Sequence, residues 1–137
     1  SGVVFKNHKI VVDACLMLKE QGITDYNIIF TIVGDENEHI VDLFNISKEN
    51  DLPIKFIGSL TREETFDFYA KSILIFPSYI ETVGLPLLEA KLHNTPILVS
   101  DCEYAKEVLQ DYTLVKFFDH CNKYELASLI KDTITNY

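Results

Sequence analysis

Positive charge is scarce in this chain. Its 137 residues include 12 Lys and Arg against 21 Asp and Glu, which gives a formal net charge of −9 at pH 7. Nucleic acids and anionic membranes are bound by clustered Lys and Arg side chains that neutralise phosphates. The composition therefore argues against a nucleic-acid partner, and any phosphate-bearing ligand must be held by local groups.

Long apolar runs and cysteine pairs are also missing. No apolar run approaches the roughly 20 residues that span a bilayer, and no signal peptide is visible. Cys15, Cys102 and Cys121 are too few, and odd in number, for a disulfide framework. We therefore expect a cytoplasmic protein. Peripheral association of the parent protein with the inner face of the membrane stays open.

A metal site is not expected either. Asp119, His120 and Cys121 stand in a row, but no second ligand pair follows at a recognised spacing, so we interpret them as a loop. Cys15 falls on the apolar side of the first predicted helix, and we expect it to be a small core residue.

Length and patterning predict one domain over residues 1–137. The chain is long enough for one core and too short for two, and its 47% apolar and 24% charged residues are ordinary for a globular protein. Short apolar runs alternate with amphipathic segments throughout. This alternation predicts an α/β fold of right-handed βαβ units, with a mostly parallel sheet covered by helices on both faces, in three layers.

The predicted elements follow one another without a linker or repeat. Strands are predicted at 26–33, 53–58, 72–76, 96–100 and 114–118, and helices at 10–20, 38–50, 62–70, 85–93, 104–109 and from 123 onward. Thr61 with Glu64, and Asn122 with Glu125, are capping-box signals. Little chain precedes the first helix, so we expect the opening strand to be very short or truncated, at a boundary within a longer protein.

The segment from Glu81 to Glu89 is the most informative part of the chain. Its two carboxylates bracket Gly84 and the first turn of a predicted helix. Glu81 follows an apolar strand and the Pro77-Ser78 turn, which places it at the carboxyl end of a strand, where open α/β sheets bind ligands. We expect both carboxylates to converge on one pocket that holds a sugar nucleotide.

Several segments, in chain order, carry a resemblance to a known family. They are Lys6-Asn7-His8, Ile32-Val33-Gly34, Phe56-Ile57-Gly58, Phe76-Pro77-Ser78 with residues 81–90, residues 94–101 and residues 104–108. Together they resemble the carboxy-terminal, nucleotide-sugar-binding lobe of retaining glycosyltransferases of family 4, also called the group 1 family. The resemblance covers nearly the whole chain and implies one Rossmann-like lobe of the two-lobe GT-B architecture.

The resemblance implies roles toward a nucleoside-diphosphate sugar. Lys6 would neutralise the donor diphosphate as a compact point charge. Glu81, the candidate catalytic residue, would face the transferred sugar. Glu89 would accept hydrogen bonds from both ribose hydroxyls, and the base would lie near residues 57–60.

Further donor-binding residues follow from the same signature. Backbone N–H groups of Val83, Gly84 and Leu85 would approach the sugar or the distal phosphate at the positive end of the helix dipole. Ser78 and Thr82 would be hydrogen-bonding neighbours, although turn residues of these types need no function.

The resemblance also implies the reaction and its partners. A hexose-type sugar would pass, with retention of configuration, to a sugar-containing acceptor in polysaccharide biosynthesis. The acceptor would bind the amino-terminal lobe of the same protein, which we expect to be missing here, so the fragment alone would be inactive. Positive charge and backbone N–H groups would stabilise the leaving diphosphate, so neither a metal nor another cofactor is expected.

Two positions depart from the family pattern. The Arg that usually joins the Lys on the phosphates would fall on Ser1 or just ahead of it, and its absence predicts weaker donor binding. Val83 stands where an aromatic residue is common. His8 is expected to make a helix-start contact and not to act as a catalytic base.

Two other interpretations stay open. One is a sugar-nucleotide epimerase or a phosphorylase of the same two-lobe fold, although the Glu81 to Glu89 signature fits these less well. The other is a non-catalytic flavodoxin-like module, such as a signalling receiver. A receiver would want an acidic cluster at the end of its first strand, where this chain has Lys6-Asn7-His8.

Overall fold

The computed structural model describes residues 6–79 and 85–136. Helices and strands alternate in the predicted order, and the strands are shorter than predicted. The elements are α1 (His8–Glu20), β1 (Ile28–Phe30), α2 (Glu38–Glu49), β2 (Ile54–Phe56), α3 (Arg62–Lys71), β3 (Leu74–Phe76), α4 (Leu85–Leu92), β4 (Ile97–Ser100), α5 (Glu103–Val108), β5 (Val115–Phe118) and α6 (Lys123–Asn136).

The capping signals in the sequence explain where two helices begin. At α3 the capping box is complete, because Thr61 Oγ1 accepts from Glu64 N at 3.1 Å and Glu64 Oε1 accepts from Thr61 N at 2.9 Å. At α6 only half of the predicted box is present. Asn122 Oδ1 accepts from Glu125 N at 3.1 Å, but Glu125 Oε1 accepts from the backbone N–H of Asp119. The second carboxylate therefore ties the helix to the preceding turn.

All strand pairs are parallel, as the alternating pattern predicts. Within the described residues they form two sheets, β1–β2 and β3–β4–β5, and β1 does not pair with β3. In the doubly wound order the opening strand lies between the second and fourth strands. When an opening strand before α1 is counted as the first strand, β1 becomes the second strand and β3 becomes the fourth. The expected short or truncated opening strand falls in residues 1–5, which lie outside the described residues.

Helices cover both faces of the three-stranded sheet. β4 is buried at all four positions, and its successive side chains point to opposite faces. Leu98 belongs to an apolar cluster built with α1 and α6, whereas Ile97 and Val99 belong to a cluster built with α4 and α5. The predicted arrangement of helices on both faces is therefore confirmed.

The cluster built with α1 and α6 is the larger one. Leu18 of α1 and Leu126 of α6 are fully buried in it, together with Cys15, which confirms that this cysteine is a core residue. Burial raises the pKa of the Cys15 thiol to about 11. None of the described helices is long and apolar enough to cross a membrane.

Candidate functional site

The carboxyl ends of parallel strands meet at one edge of an α/β sheet, and one of the predicted donor residues follows such a strand end directly. Ser78 follows β3, and Leu85 and Glu89 belong to α4. Glu81, Thr82, Val83 and Gly84 lie outside the described residues, and with them the predicted convergence of Glu81 and Glu89.

Asn7 joins the start of α1 to two strand ends. Its backbone is left-handed, with φ 66° and ψ 37°, a conformation that Asn adopts more readily than most residues. Its side-chain Nδ2 donates to the carbonyl oxygen of Pro77 at 3.0 Å and to that of His120 at 3.0 Å. Since Pro77 follows β3 and His120 follows β5, one amide group bridges the ends of both strands.

The rings of Tyr79 and His120 add a second contact between the same segments. They stack with their centroids 4.7 Å apart and their planes inclined by 25°. The segment after β3 is thus held against the turn after β5 by a side-chain amide and by an aromatic stack.

Ser78 is fixed from a third direction. It is buried, with 2% of its surface exposed, and its backbone carbonyl accepts a hydrogen bond from the hydroxyl of Ser100, at the end of β4. Since its backbone oxygen is engaged in the fold, Ser78 is at least a structural residue of the turn. Its side-chain role toward a ligand stays a prediction.

Lys6 and His8 lie on either side of Asn7. Lys6 is half-buried. The ring of His8 packs edge-on against Phe30 of β1, with centroids 5.1 Å apart, and its Nδ1 is buried without a hydrogen-bond partner. Burial lowers the pKa of His8 to about 4. The imidazole thus packs against a strand, and no hydrogen bond of its ring to the start of α1 is seen among the described residues.

Glu89 lies in the middle of α4, half-buried, and close to Tyr69 of α3. Burial, followed by the negative charge of Glu89, raises the pKa of Tyr69 to about 12. The Tyr69 hydroxyl lies 3.5 Å from the carbonyl oxygen of Pro86, in the first turn of α4. Leu85, at the start of the helix, is 58% exposed. These contacts place Glu89 on the side of α4 that faces α3.

Two glycines shape the ends of β1 and β2. Gly58 has φ +79°, which favours glycine, and its N–H donates to the carbonyl oxygen of Ile32 at 3.1 Å. At Gly34 an added Cβ would lie 2.5 Å from the ring of Phe44. The glycines that carry the family resemblance are therefore required locally, by backbone conformation and by packing respectively.

The turn after β5 contains the Asp119, His120 and Cys121 cluster. Their potential ligand atoms lie within 4.8 Å of one another. Asp119 Oδ1 already accepts from Cys121 N at 2.8 Å, and the His120 ring is stacked on Tyr79. An open cavity of about 340 Å³ lies beside this turn; its lining includes Asn7, Lys9, Asp13, His120, Cys121 and Tyr124.

Sequence reasoning assigned no role to the residues that tie this edge together. In the sequence Asn7 is only the neighbour of a candidate lysine, and no pattern points to Tyr79 or Ser100. A polar residue in a turn beside a predicted ligand residue is the signal that could have drawn attention to Asn7. Its two acceptors lie 70 and 113 residues away, so no local pattern identifies them.

Comparison with known proteins agrees with the arrangement of the chain. The family model described as "Glycosyl transferases group 1" matches residues 4–137. The O-antigen chain mannosyltransferase RfbU of Salmonella typhimurium strain LT2 is 31% identical over 110 residues, which are 80% of this chain and 28% of that protein. The chain thus spans little more than a quarter of the length of this relative. Since the family model covers nearly every residue, the chain belongs to the group 1 glycosyltransferases.

Proposed function

We propose that this chain is the donor-binding lobe of a GT-B glycosyltransferase of family 4. The enzyme would transfer a sugar from a nucleoside diphosphate to a sugar-containing acceptor, with retention of configuration, in polysaccharide assembly. The observation that carries this proposal is the family match over residues 4–137. The hydrogen bonds from Asn7, the residue after Lys6, to the ends of β3 and β5 support it.

The donor diphosphate would lie against the edge where Asn7 joins these segments. Lys6 supplies the positive charge there, which matters in a chain with a net charge of −9. The backbone N–H groups of residues 83–85 would donate to the sugar or the distal phosphate, and the start of α4 at Leu85 would add the positive end of the helix dipole. Glu81 faces the sugar, and Glu89 accepts from the ribose hydroxyls.

The chemistry requires neither a bound metal nor another cofactor in this proposal. Negative charge develops on the leaving diphosphate, and preorganised donors stabilise such charge without reorganising during the reaction. The acceptor binds an amino-terminal lobe of the parent protein, and the reaction takes place in the cleft between the lobes. The enzyme would work in the cytoplasm.

The name of the Salmonella relative suggests which sugar to test first. That protein is described as an O-antigen chain mannosyltransferase, so a nucleoside-diphosphate mannose is the first donor to try. A hexose acceptor on a growing polysaccharide is the corresponding acceptor class.

Calorimetric titration of the full-length protein with UDP, GDP and ADP tests donor binding. We expect one of them to bind, and Glu89→Ala to weaken it roughly 10- to 100-fold, because hydrogen bonds to a charged group contribute about 1.5–3 kcal/mol. Glu20→Ala, which removes an exposed carboxylate at the end of α1, is the matched control and should bind as the unaltered protein does.

Absence of binding by all three nucleotides, or equal binding by both glutamate variants, would rule out the donor assignment. Product analysis with a labelled nucleotide sugar then separates the reaction types. Transfer of label to an acceptor supports the proposal. Label recovered in an epimerised nucleotide sugar, or in a sugar phosphate, favours the epimerase or phosphorylase alternative.

A further inference from the structure

We infer that Asn7 is a positioning residue for the donor diphosphate, acting through its neighbour Lys6. This inference rests on the proposed function, and it assigns a task to a residue that the functional assignment leaves out. The two carbonyl groups that accept from Asn7 fix the start of α1 relative to the ends of β3 and β5. Lys6 is the preceding residue, so the same contacts fix the origin of its side chain.

The chemistry of Asn7 fits this task. A side-chain amide has two N–H donors on one nitrogen, and here that nitrogen serves two carbonyl oxygens on different strand ends, each at 3.0 Å. The left-handed backbone of Asn7 separates Lys6 from the first residue of α1. A residue without the amide would leave the carbonyl groups of Pro77 and His120 without this donor. The start of α1 would then no longer be hydrogen-bonded to the ends of β3 and β5 through this side chain.

The segments that Asn7 joins are held in other ways as well, so they form a firm support. Tyr79 stacks on His120, and Ser100 donates to the carbonyl of Ser78. Neither of these two contacts involves Asn7. Loss of the amide should therefore displace Lys6 while the strand ends stay in place.

Positioning of Lys6 matters more for a diphosphate than for a nucleoside. The ammonium group interacts with phosphate as a point charge, and a displacement weakens that attraction directly. The nucleoside part is assigned to Glu89 and to residues 57–60, whereas the Asn7 amide donates to Pro77 and His120. The inference thus predicts a selective loss of phosphate recognition.

The test uses Asn7→Gly in the full-length protein, because glycine accepts the left-handed backbone without strain and removes only the side chain. We expect the Kd for the nucleoside diphosphate to rise roughly tenfold, because the displaced Lys6 ammonium loses part of its attraction to the phosphates. The Kd for the parent nucleoside should change little. Asn7→Ser, which retains a single donor, should give a smaller loss and can carry the test if the glycine variant does not fold.

Asn50→Ala is the matched control. Asn50 also donates Nδ2 to a backbone carbonyl, that of Ile46 at 2.9 Å, but on the exposed end of α2. This variant should leave both affinities unchanged. A double-mutant cycle of Lys6→Ala with Asn7→Gly gives the deciding measurement, because residues that act together show non-additive effects. The double variant should bind the diphosphate no more weakly than Lys6→Ala alone.

Four results would overturn the inference. Equal losses for nucleoside and diphosphate, or additive losses in the cycle, would make Asn7 a purely structural residue while leaving the proposed function intact. Unchanged diphosphate binding by a folded Asn7→Gly variant would reject the positioning role in the same way. If the unaltered protein binds no nucleoside diphosphate at all, the proposed function fails and this inference fails with it.

Discussion

Helices α1 and α3 are held to the rest of the molecule by different means. α1 buries aliphatic side chains from its first turn to its last, and Leu18 is fully buried between α6 and the sheet. α3 has no fully buried residue. Hydrogen bonds hold it at both ends: the Thr61 capping box begins it, and the Thr95 hydroxyl donates to the carbonyl of Tyr69 near its last turn.

This difference corresponds to a difference in position. α1 and α6 pack along each other and build the larger core cluster, whereas α3 borders α4 beside Glu89, where the donor is proposed to bind. Binding regions are commonly drawn from the less stable parts of a fold. Aliphatic burial resists movement in every direction, whereas hydrogen bonds and ring contacts fix particular points. The molecule therefore combines an α1–α6 side built on aliphatic burial with a helix α3 that is held at a few defined contacts.

The largest expected effect is on the α1–α6 side. Leu18→Ala should lower the free energy of unfolding by about 2–5 kcal/mol, because it removes a buried side chain and leaves a cavity that the surrounding helices cannot fill. Leu92→Ala is the control: Leu92 lies on α4 and is 81% exposed, so its replacement should change the stability by no more than about 0.5 kcal/mol. Chemical denaturation gives both values. Similar losses for the two variants would contradict the contrast between the two sides.

His8 should make the start of α1 sensitive to acid. Burial, with smaller effects of nearby positive charge, lowers its pKa from 6.5 to about 4 in the folded protein. The unfolded chain therefore binds a proton first as the pH falls, so stability is lost between about pH 6.5 and 4 and is unaffected above that window. The loss should reach about 3 kcal/mol at the lower limit.

His8→Phe isolates this contribution, because the ring can still pack against Phe30 but cannot be protonated. All carboxylates titrate in both proteins, so the difference between their stability curves reports His8 alone. We expect the two curves to diverge below pH 6.5, with the unaltered protein losing more stability. Parallel curves down to pH 4 would mean that His8 is protonated normally in the folded state.

A smaller effect is expected from the tie between α3 and the loop before β4. Thr95 is buried, with 1% of its surface exposed, and its hydroxyl donates to the Tyr69 carbonyl at 2.6 Å. Thr95→Val keeps the shape but leaves that carbonyl without its donor, which should cost about 1–3 kcal/mol. Thr113→Val, at an exposed threonine before β5, should cost little. Equal denaturation midpoints for the two variants would show that the hydroxyl contributes nothing to α3.

Local patterns were sufficient to predict α1 and α3 as helices. The apolar stripe of α1 and the Thr61 to Glu64 pair both involve residues that are close along the chain. Both can therefore be recognised from the sequence alone. The contacts that dock α3 do not have this property: Thr95 reaches Tyr69 across 26 residues, and nothing about a threonine after a helix indicates its acceptor. At Asn122 the same limit appears, because Glu125 bonds to Asp119 in place of the cap that the pattern predicted.

The candidate site likewise has features that depend on local sequence and features that depend on contacts between distant residues. Its residues could be predicted where a motif fixes them in order along the chain, as for Ser78, Leu85 and Glu89. Their surroundings could not, because the bridge from Asn7 to Pro77 and His120 and the stack of Tyr79 form only when the strand ends are brought together. The roles of these motif residues toward a ligand stay predictions, as do those of Lys6, Glu81, Thr82, Val83 and Gly84.

The smallest expected effect tests the other end of α3. Thr61→Ala removes the hydroxyl that accepts from Glu64 N at 3.1 Å, which should cost about 1 kcal/mol, as for other helix caps. Because α3 buries little, this loss should appear first as faster hydrogen exchange in residues 62–71 and only weakly in α1. Thr61→Ser, which keeps the accepting oxygen, should exchange like the unaltered protein. If exchange in α1 increased as much as in α3, the two helices would unfold as one unit and the contrast between them would not extend to their dynamics.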